Sequence, residues 1–496
     1  MTSANEANTS ASRYVAEYFQ ERTRQQPENP FATLIPDQEI AIIPSFTLES
    51  GVTLKNVPVA YTTRGNLSPN GDNAMVICHA LTGSSDVSDW WGPLIGGPGR
   101  AFDISRFFIV CMNSLGSPYG TASPVTARDG DPNNGRYGPE FPLTTIRDDV
   151  NLHKLILDDL GVRQVAAVVG GSMGGMLALE WAYFGKDYVR CIVPIATSSQ
   201  HSAWGISWGE AQRQSIYADP KYDDGYYSFE DPPLTGLGAA RMSALLTYRS
   251  RNSFEARFGR NIPDPSRRQT IRESPRPSTP SQAHLYIHND GHKMTRLSKP
   301  NSPSDTPPAE PNGDSAKNGE STRSLDPEYS GPKTDGLGRG EPSPTTYFSA
   351  QSYLRYQGQK FVKRFDSNCY IAITRKLDTH DVSRYRADTI AEALALIEQP
   401  TLVLGIESDG LFTFAEQEEI AQHVKNARLE KIDSQEGHDA FLLQFEQVNR
   451  HILDFLKENL PDIMGKEGAP VEAASVGLLA KSSTFGEAEV EDITAW

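Results

Sequence analysis

Gly170-Gly171-Ser172-Met173-Gly174 is the feature that most narrows what this chain can fold into. It directly follows the apolar run Val165 to Val169 and directly precedes a helix-like run, Met176 to Phe184. A serine set between small residues at a strand-to-helix turn is held in a strained conformation, its hydroxyl raised above the end of a sheet. The helix start beneath it favours negative charge developing on that oxygen. A glycine-rich turn with an incidental serine would carry the same five letters. The strand before it and the helix after it are what favour a nucleophile.

The surrounding text supplies the sheet that such a turn requires. Short apolar runs at Met75 to His79, Phe107 to Met112, Val165 to Gly170 and Cys191 to Ile195 alternate with helical stretches, the pattern of a mostly parallel sheet flanked by helices. Thr145 and Asp148 open one of those helices as a capping box, and Gly161 stops it after Leu160. After Ser199 the texture becomes helical and rich in aromatics and arginine: Ser202 to Tyr217, Leu237 to Arg249 and Ala350 to Leu377 read as an inserted helical cap. Sheet texture returns at Thr401 to Ile406 and Leu429 to Ile432. A closing helix then presents Phe441, Phe445, Val448, Ile452 and Phe455 at three- and four-residue spacing.

This divides the chain into a flexible N-terminal segment (1–34), a core in two parts (35–199 and 399–462), a helical cap in two parts (200–261 and 346–398), a disordered insert (262–345) and an acidic flexible tail (463–496). The insert is dense in Pro, Ser, Asp, Asn and Gly, and cannot bury enough surface to offset its ordering entropy. Pro275, Pro277, Pro280, Pro307 and Pro308 speak against regular elements over much of it.

A formal charge of −16 argues against a nucleic-acid partner, which needs a basic face. Cys78, Cys111, Cys191 and Cys369 lie in or beside apolar stretches and read as buried free thiols of a reducing compartment. No apolar run reaches the length of a membrane span, and the polar N-terminus fits no export signal, so cytoplasm is the expected location.

A serine hydroxyl attacks only when a base removes its proton. Of ten histidines, His153, His423 and His451 fall in helices and read as surface positions, and His201 and His380 lie in the cap, away from any sheet end. His284, His288 and His292 have ligand-like spacing but sit in the insert, so no metal is expected. His438 lies in a loop between the last strand and the closing helix, where the base of an α/β-hydrolase fold belongs. The orienting acid should follow the preceding strand, which ends in Glu407-Ser408-Asp409-Gly410. Asp409 is the choice and Glu407 the rival. The oxyanion hole needs two backbone N–H groups, assigned to Met173, after the nucleophile, and to Leu81, in the loop His79 to Ser84. His79 then shapes that loop.

These motifs resemble the homoserine O-acetyltransferase family in its fungal form. The resemblance is carried by His79-Ala80-Leu81-Thr82-Gly83, Asp89 to Leu94, Asn113 to Pro118, the elbow through Met176, Ala350 to Asp381, and Glu436 to Phe441, over about Ile35 to Leu460 apart from the insert. It implies acetyl transfer from acetyl-CoA, as substrate and without a cofactor, to the hydroxyl of L-homoserine in methionine biosynthesis, by a ping-pong route through acetyl-Ser172. It further implies that Arg241 clamps the substrate carboxylate, that Asp439 holds its ammonium, and that the protein is a homodimer built through the cap. Without the resemblance, Arg241 would read as a surface arginine. Lys360, Lys363 and Arg364 are candidates for the phosphates of CoA. Serine acylation, a succinyl donor or plain ester hydrolysis would use the same triad, so these alternatives stay open on chemistry alone.

Overall fold

The structure, a computed structural model, describes residues 26–262, 279–291 and 348–470. Eight strands build one sheet: β1 (Glu39–Thr47), β2 (Thr53–Arg64), β3 (Ala74–Cys78), β4 (Phe108–Met112), β5 (Val165–Gly171), β6 (Ile192–Ile195), β7 (Thr401–Gly405) and β8 (Ala427–Lys431). Their spatial order is β1-β2-β4-β3-β5-β6-β7-β8. The β1–β2 and β2–β4 pairings are antiparallel and the remainder parallel. The six expected strands are present with ends shifted by two residues at most. The β1–β2 hairpin was not among them, because Pro44 and Pro58 interrupt its apolar pattern. Pro44 is tolerated on an edge strand, where the register steps from Ile43 to Ser45.

Central parallel strands bury both faces, which is why they read as unbroken apolar runs. On β3, Val76 and Cys78 join one core cluster while Met75 and Ile77 join the other; Val168 and Val169 divide in the same way on β5. Two helices start the covering layers: α1 (Ile146–Asp159) and α2 (Met173–Ala182). Thr145 and Asp148 form the expected capping box in full, each side chain bonded to the other's backbone.

The cap follows as α3 (Ala203–Tyr217), α4 (Leu234–Tyr248), α5 (Arg251–Arg257), α6 (Pro280–His288), α7 (Ser349–Phe361) and α8 (Ser367–Asp378). The single stretch expected over Ala350 to Leu377 is two helices, restarted where Asp366 caps α8 by accepting from the Cys369 N–H at 3.0 Å. Ile216, Leu237, Phe361, Tyr370 and Ile373 of the cap belong to the same buried cluster as α1 and α2, so the cap grows out of the main core. Returning to the sheet, α9 (Phe414–His423) packs on the α1–α2 side through Ile420, and α10 (Phe445–Asn459) covers the opposite face with Val448, Ile452, Phe455 and Leu456.

Several expectations need correction. Residues 279–291 of the supposed insert include a helix: Pro280 occupies its first turn, where a proline costs no hydrogen bond, and Thr279 caps it. Arg355 of α7 ties it down through Asp290 at 3.0 Å. The rest of the insert (263–278 and 292–345), the first two residues of the second cap segment (346–347), residues 1–25 and residues 471–496 lie outside the described residues. The N-terminal segment is docked from Gln26 onward, where Asn29 is fully buried and donates to the Pro118 carbonyl at 2.8 Å. At the other end, Pro461–Met464 forms a last helical turn with Ile463 buried. Phe441 precedes the closing helix in a 3₁₀ turn, Gly437–Leu442, and Phe445 is only half-buried. All four cysteines are buried free thiols, and among the described residues no helix is long and apolar enough to cross a membrane.

Candidate active site

Ser172 sits at the junction of β5 and α2 with φ 60° and ψ −124°, a left-handed conformation costing about 1–3 kcal/mol for a residue with a side chain. The surroundings impose it. Its N–H donates to the Ile195 carbonyl at 2.9 Å, and its carbonyl accepts from the Gly175 N–H at 2.9 Å and the Thr197 hydroxyl at 2.8 Å. The first turn of α2 lies so close to the end of β3 that a Cβ on Gly174 would stand 2.1 Å from the Cys78 carbonyl oxygen. That approach is the physical reason for the glycines.

His438 and Asp409 meet. The Nδ1 of His438 is 2.7 Å from Oδ2 of Asp409, and both side chains are buried. The other Asp409 oxygen accepts from the N–H groups of Leu411 and Phe412 at 2.8 and 3.0 Å, which fixes the carboxylate plane. Glu407, the rival acid, is exposed and paired with Lys431 at 2.5 Å. The His438 ring packs against Phe412, Phe441 and Tyr248 at centroid distances of 5.4, 5.6 and 6.0 Å. Phe441 also fills the space over Gly171, and Tyr248 and Phe412 line the same cavity as Ser172, with Leu81, Trp208 and Leu377. The structure therefore gathers Ser172, Leu81 and the immediate neighbours of His438 around one largely apolar cavity.

His79 is buried, with Nδ1 2.8 Å from the Ala80 carbonyl and Nε2 accepting from the Ser114 N–H at 2.9 Å. That is a neutral imidazole with the proton on Nδ1. Burial depresses its pKa to about 4. It shapes the loop carrying Leu81, as expected. Beneath it, Leu115 donates its N–H to Asp149 at 2.7 Å, and Asp149 is paired with Lys376 of α8, both side chains fully buried. Burial raises the Asp149 pKa and lowers that of Lys376, opposing their mutual attraction. His153, expected on the surface, is 1% exposed, lies 3.3 Å from the Asn113 carbonyl, and is pushed by burial to about 3. His201, expected away from the sheet, lines the cavity of Ser172, because the segment after β6 returns over the strand ends.

Arg241 is also buried, contrary to its bare sequence reading. Its guanidinium lies over Phe361 and Tyr248 at 4.8 and 5.4 Å, one ring away from His438. Asp439 is buried beside Arg249, whose Nε is 2.8 Å from Oδ2. Arg364, a candidate for CoA phosphates, is instead buried and donates to the Thr82 carbonyl and the Tyr119 hydroxyl at 3.0 and 2.9 Å, bracing the Leu81 loop. Lys363 is exposed and Lys360 half-buried. Arg249 and Lys376 were missed by sequence reasoning. The only local hint for Arg249 is the acidic pair Glu436 and Asp439 bracketing Gly437-His438. Among the described residues no cluster suits a metal ion.

A family model described as alpha/beta hydrolase fold matches residues 73–290. A relative from Emericella nidulans named homoserine O-acetyltransferase is 69% identical over 490 residues, covering 96% of this chain and 98% of its own. The chain belongs to the homoserine O-acetyltransferase family. A further member, from Saccharomyces cerevisiae, is 54% identical over 473 residues, covering 94% and 96%. Among solved structures, homoserine O-acetyltransferase from Bacillus anthracis (TM-score 0.63, 20% identity, 84% of this chain and 97% of that one) and esterase E22 (TM-score 0.62, 22% identity, 84% and 99%) share the fold.

Proposed function

We propose that this protein transfers the acetyl group of acetyl-CoA to the hydroxyl of L-homoserine by a ping-pong route, within methionine biosynthesis. The observation that carries the chemistry is the 2.7 Å contact of His438 with Asp409 beside the cavity of Ser172. The acceptor and donor rest on the family and on the names of its full-length members.

In this reading Asp409 accepts a hydrogen bond from Nδ1–H of His438, which makes Nε2 the nitrogen that takes the Ser172 proton. Ser172 attacks the thioester carbon, and His438 then delivers the proton to the departing sulfur, so that CoA leaves as the thiol. The hydroxyl of homoserine loses its proton to His438 and attacks acetyl-Ser172, and the proton returns to Ser172. N–H groups of Met173 and Leu81 stabilise each tetrahedral oxyanion, helped by the start of α2. Arg241 suits the substrate carboxylate, because a planar guanidinium binds it through two parallel bonds. Asp439 suits the ammonium. Apolar cavity walls disfavour water as the competing acceptor. A cytoplasmic location fits the four buried free thiols.

The test is release of CoA thiol from acetyl-CoA as a function of acceptor. Release should rise in proportion to homoserine; equal release without acceptor, or a strong preference for serine, would overturn the reading.

A further inference from the structure

The loop that carries His438 is fastened on two sides. On the sheet side, the Ser408 hydroxyl donates to the Ser434 carbonyl at 2.8 Å and accepts from the Gly437 N–H at 3.0 Å. On the cap side the fastening is denser. Arg249, directly after α4, donates from Nη1 to Glu436 Oε2 at 2.8 Å and places Nε 2.8 Å from Asp439 Oδ2. One guanidinium thus spans the residues on either side of Gly437-His438. The Ser253 hydroxyl and Arg257 reach the same Glu436 oxygen at 2.6 and 2.9 Å, and Ser250 bonds the Gln435 and Glu436 carbonyls. Gly437, at φ +79°, has its missing side-chain position 2.4 Å from the Ser250 nitrogen, so backbone lies on backbone at this seam.

We infer that Arg249 is a positioning residue for the catalytic base, holding the 435–439 segment so that His438 stays on line between Asp409 and Ser172. Three observations support it. The Arg249 side chain is only 2% exposed, so it is a poor candidate for surface solubility. Its two partners are the acidic residues nearest His438 in sequence. Hydrogen bonds from Ser253 and Arg257 and the charges of both arginines overcome burial to keep the Glu436 carboxyl below its ordinary range, so the anchor stays ionised at neutral pH. Neither Arg249 nor Glu436 need touch substrate. The inference rests on the acyl-serine mechanism proposed above, but not on the identity of the acceptor.

The test is the acylation half-reaction alone, followed as the burst of p-nitrophenolate when the full-length protein is mixed with p-nitrophenyl acetate. Arg249→Met should lower the limiting acylation rate at saturating ester at least about tenfold, per active site titrated with a fluorophosphonate, while the half-saturating ester concentration changes less than about twofold. Arg249→Lys should recover part of that rate, since it restores a charge without the fork. Glu436→Gln, which keeps the shape of the anchor, should lose about threefold or more, and it serves if Arg249→Met does not fold. A lowered melting temperature with an unchanged limiting rate would mean a merely structural role and would overturn the inference. So would a loss confined to half-saturation. The wild-type burst separates this outcome from the other: a burst without acetyl transfer to homoserine overturns the acceptor assignment and leaves the Arg249 comparison intact. Absence of any burst overturns both.

Discussion

Asp149 and Lys376 lie 227 positions apart and meet at 2.5 Å with both side chains fully buried, joining a core helix to a cap helix beneath the loop of His79 and Leu81. Taking two charges out of water is costly, and the pair is tolerated because each partner cancels the other and Leu115 supplies a further donor and acceptor. Removing one partner strands the other. Lys376→Met should therefore destabilise the protein by about 3–5 kcal/mol in urea unfolding, well beyond the loss from an exposed lysine. A cost below about 1 kcal/mol would show that the pair contributes little.

Buried neutral histidines set an acid limit. Burial depresses His79 to about 4 and His153 to about 3, whereas an unfolded histidine titrates near 6.5. The unfolded state therefore binds more protons below pH 6.5. Stability is complete above that value and falls as the pH drops toward 4, by about 1.4 kcal/mol per pH unit per histidine. Unfolding free energy measured from pH 7 to 4.5 should show this slope. His153→Gln should reduce it by roughly one proton.

The proposed acid, Asp409, can be distinguished from its rival Glu407 by charge-neutral replacement. Asp409→Asn should lower kcat by about 10³–10⁴, because the amide favours the wrong imidazole tautomer. Glu407→Gln should leave kcat within about twofold, since that side chain is exposed and paired with Lys431. Equal losses from both would refute the pairing as the working one.

Arg241→Ala should mainly raise KM for the acceptor and leave acylation from acetyl-CoA near its normal rate, as expected where ground-state binding is removed. A fall in acylation instead would place Arg241 with the donor.

Gly174→Ala should destabilise, the reverse of an ordinary glycine-to-alanine change inside a helix, which gains about 1 kcal/mol. The new methyl would stand 2.1 Å from the Cys78 carbonyl, so β3 or the elbow must shift. Activity per folded molecule should drop about 100-fold, read against the circular dichroism of the same sample.

What could be read from the chain beforehand was what is encoded locally. The elbow needs five consecutive residues, the capping box of α1 four, and Asp409 and His438 each announce themselves by following a strand. The seam of Arg249 with Glu436, the Asp149–Lys376 pair and the interior position of His153 each depend on a distant segment, and no local pattern encodes them. Pro280 misled for a different reason. A proline ends a helix from within but begins one at its first turn, and the Thr279 cap before Pro280 together with the contact of Asp290 with Arg355 shows that the second applies.

The order in which these parts lie along the chain has a consequence for the nascent protein. Ser172 leaves the ribosome early, while Arg364, which braces the loop of Leu81, and then Asp409 and His438 come much later. On the mechanism proposed above, a growing chain carries its nucleophile without a base until residue 438 has been added. By the same reading, an abandoned or truncated chain that stops short of β8 would hold a serine that no base can activate, and so could not spend an acyl donor.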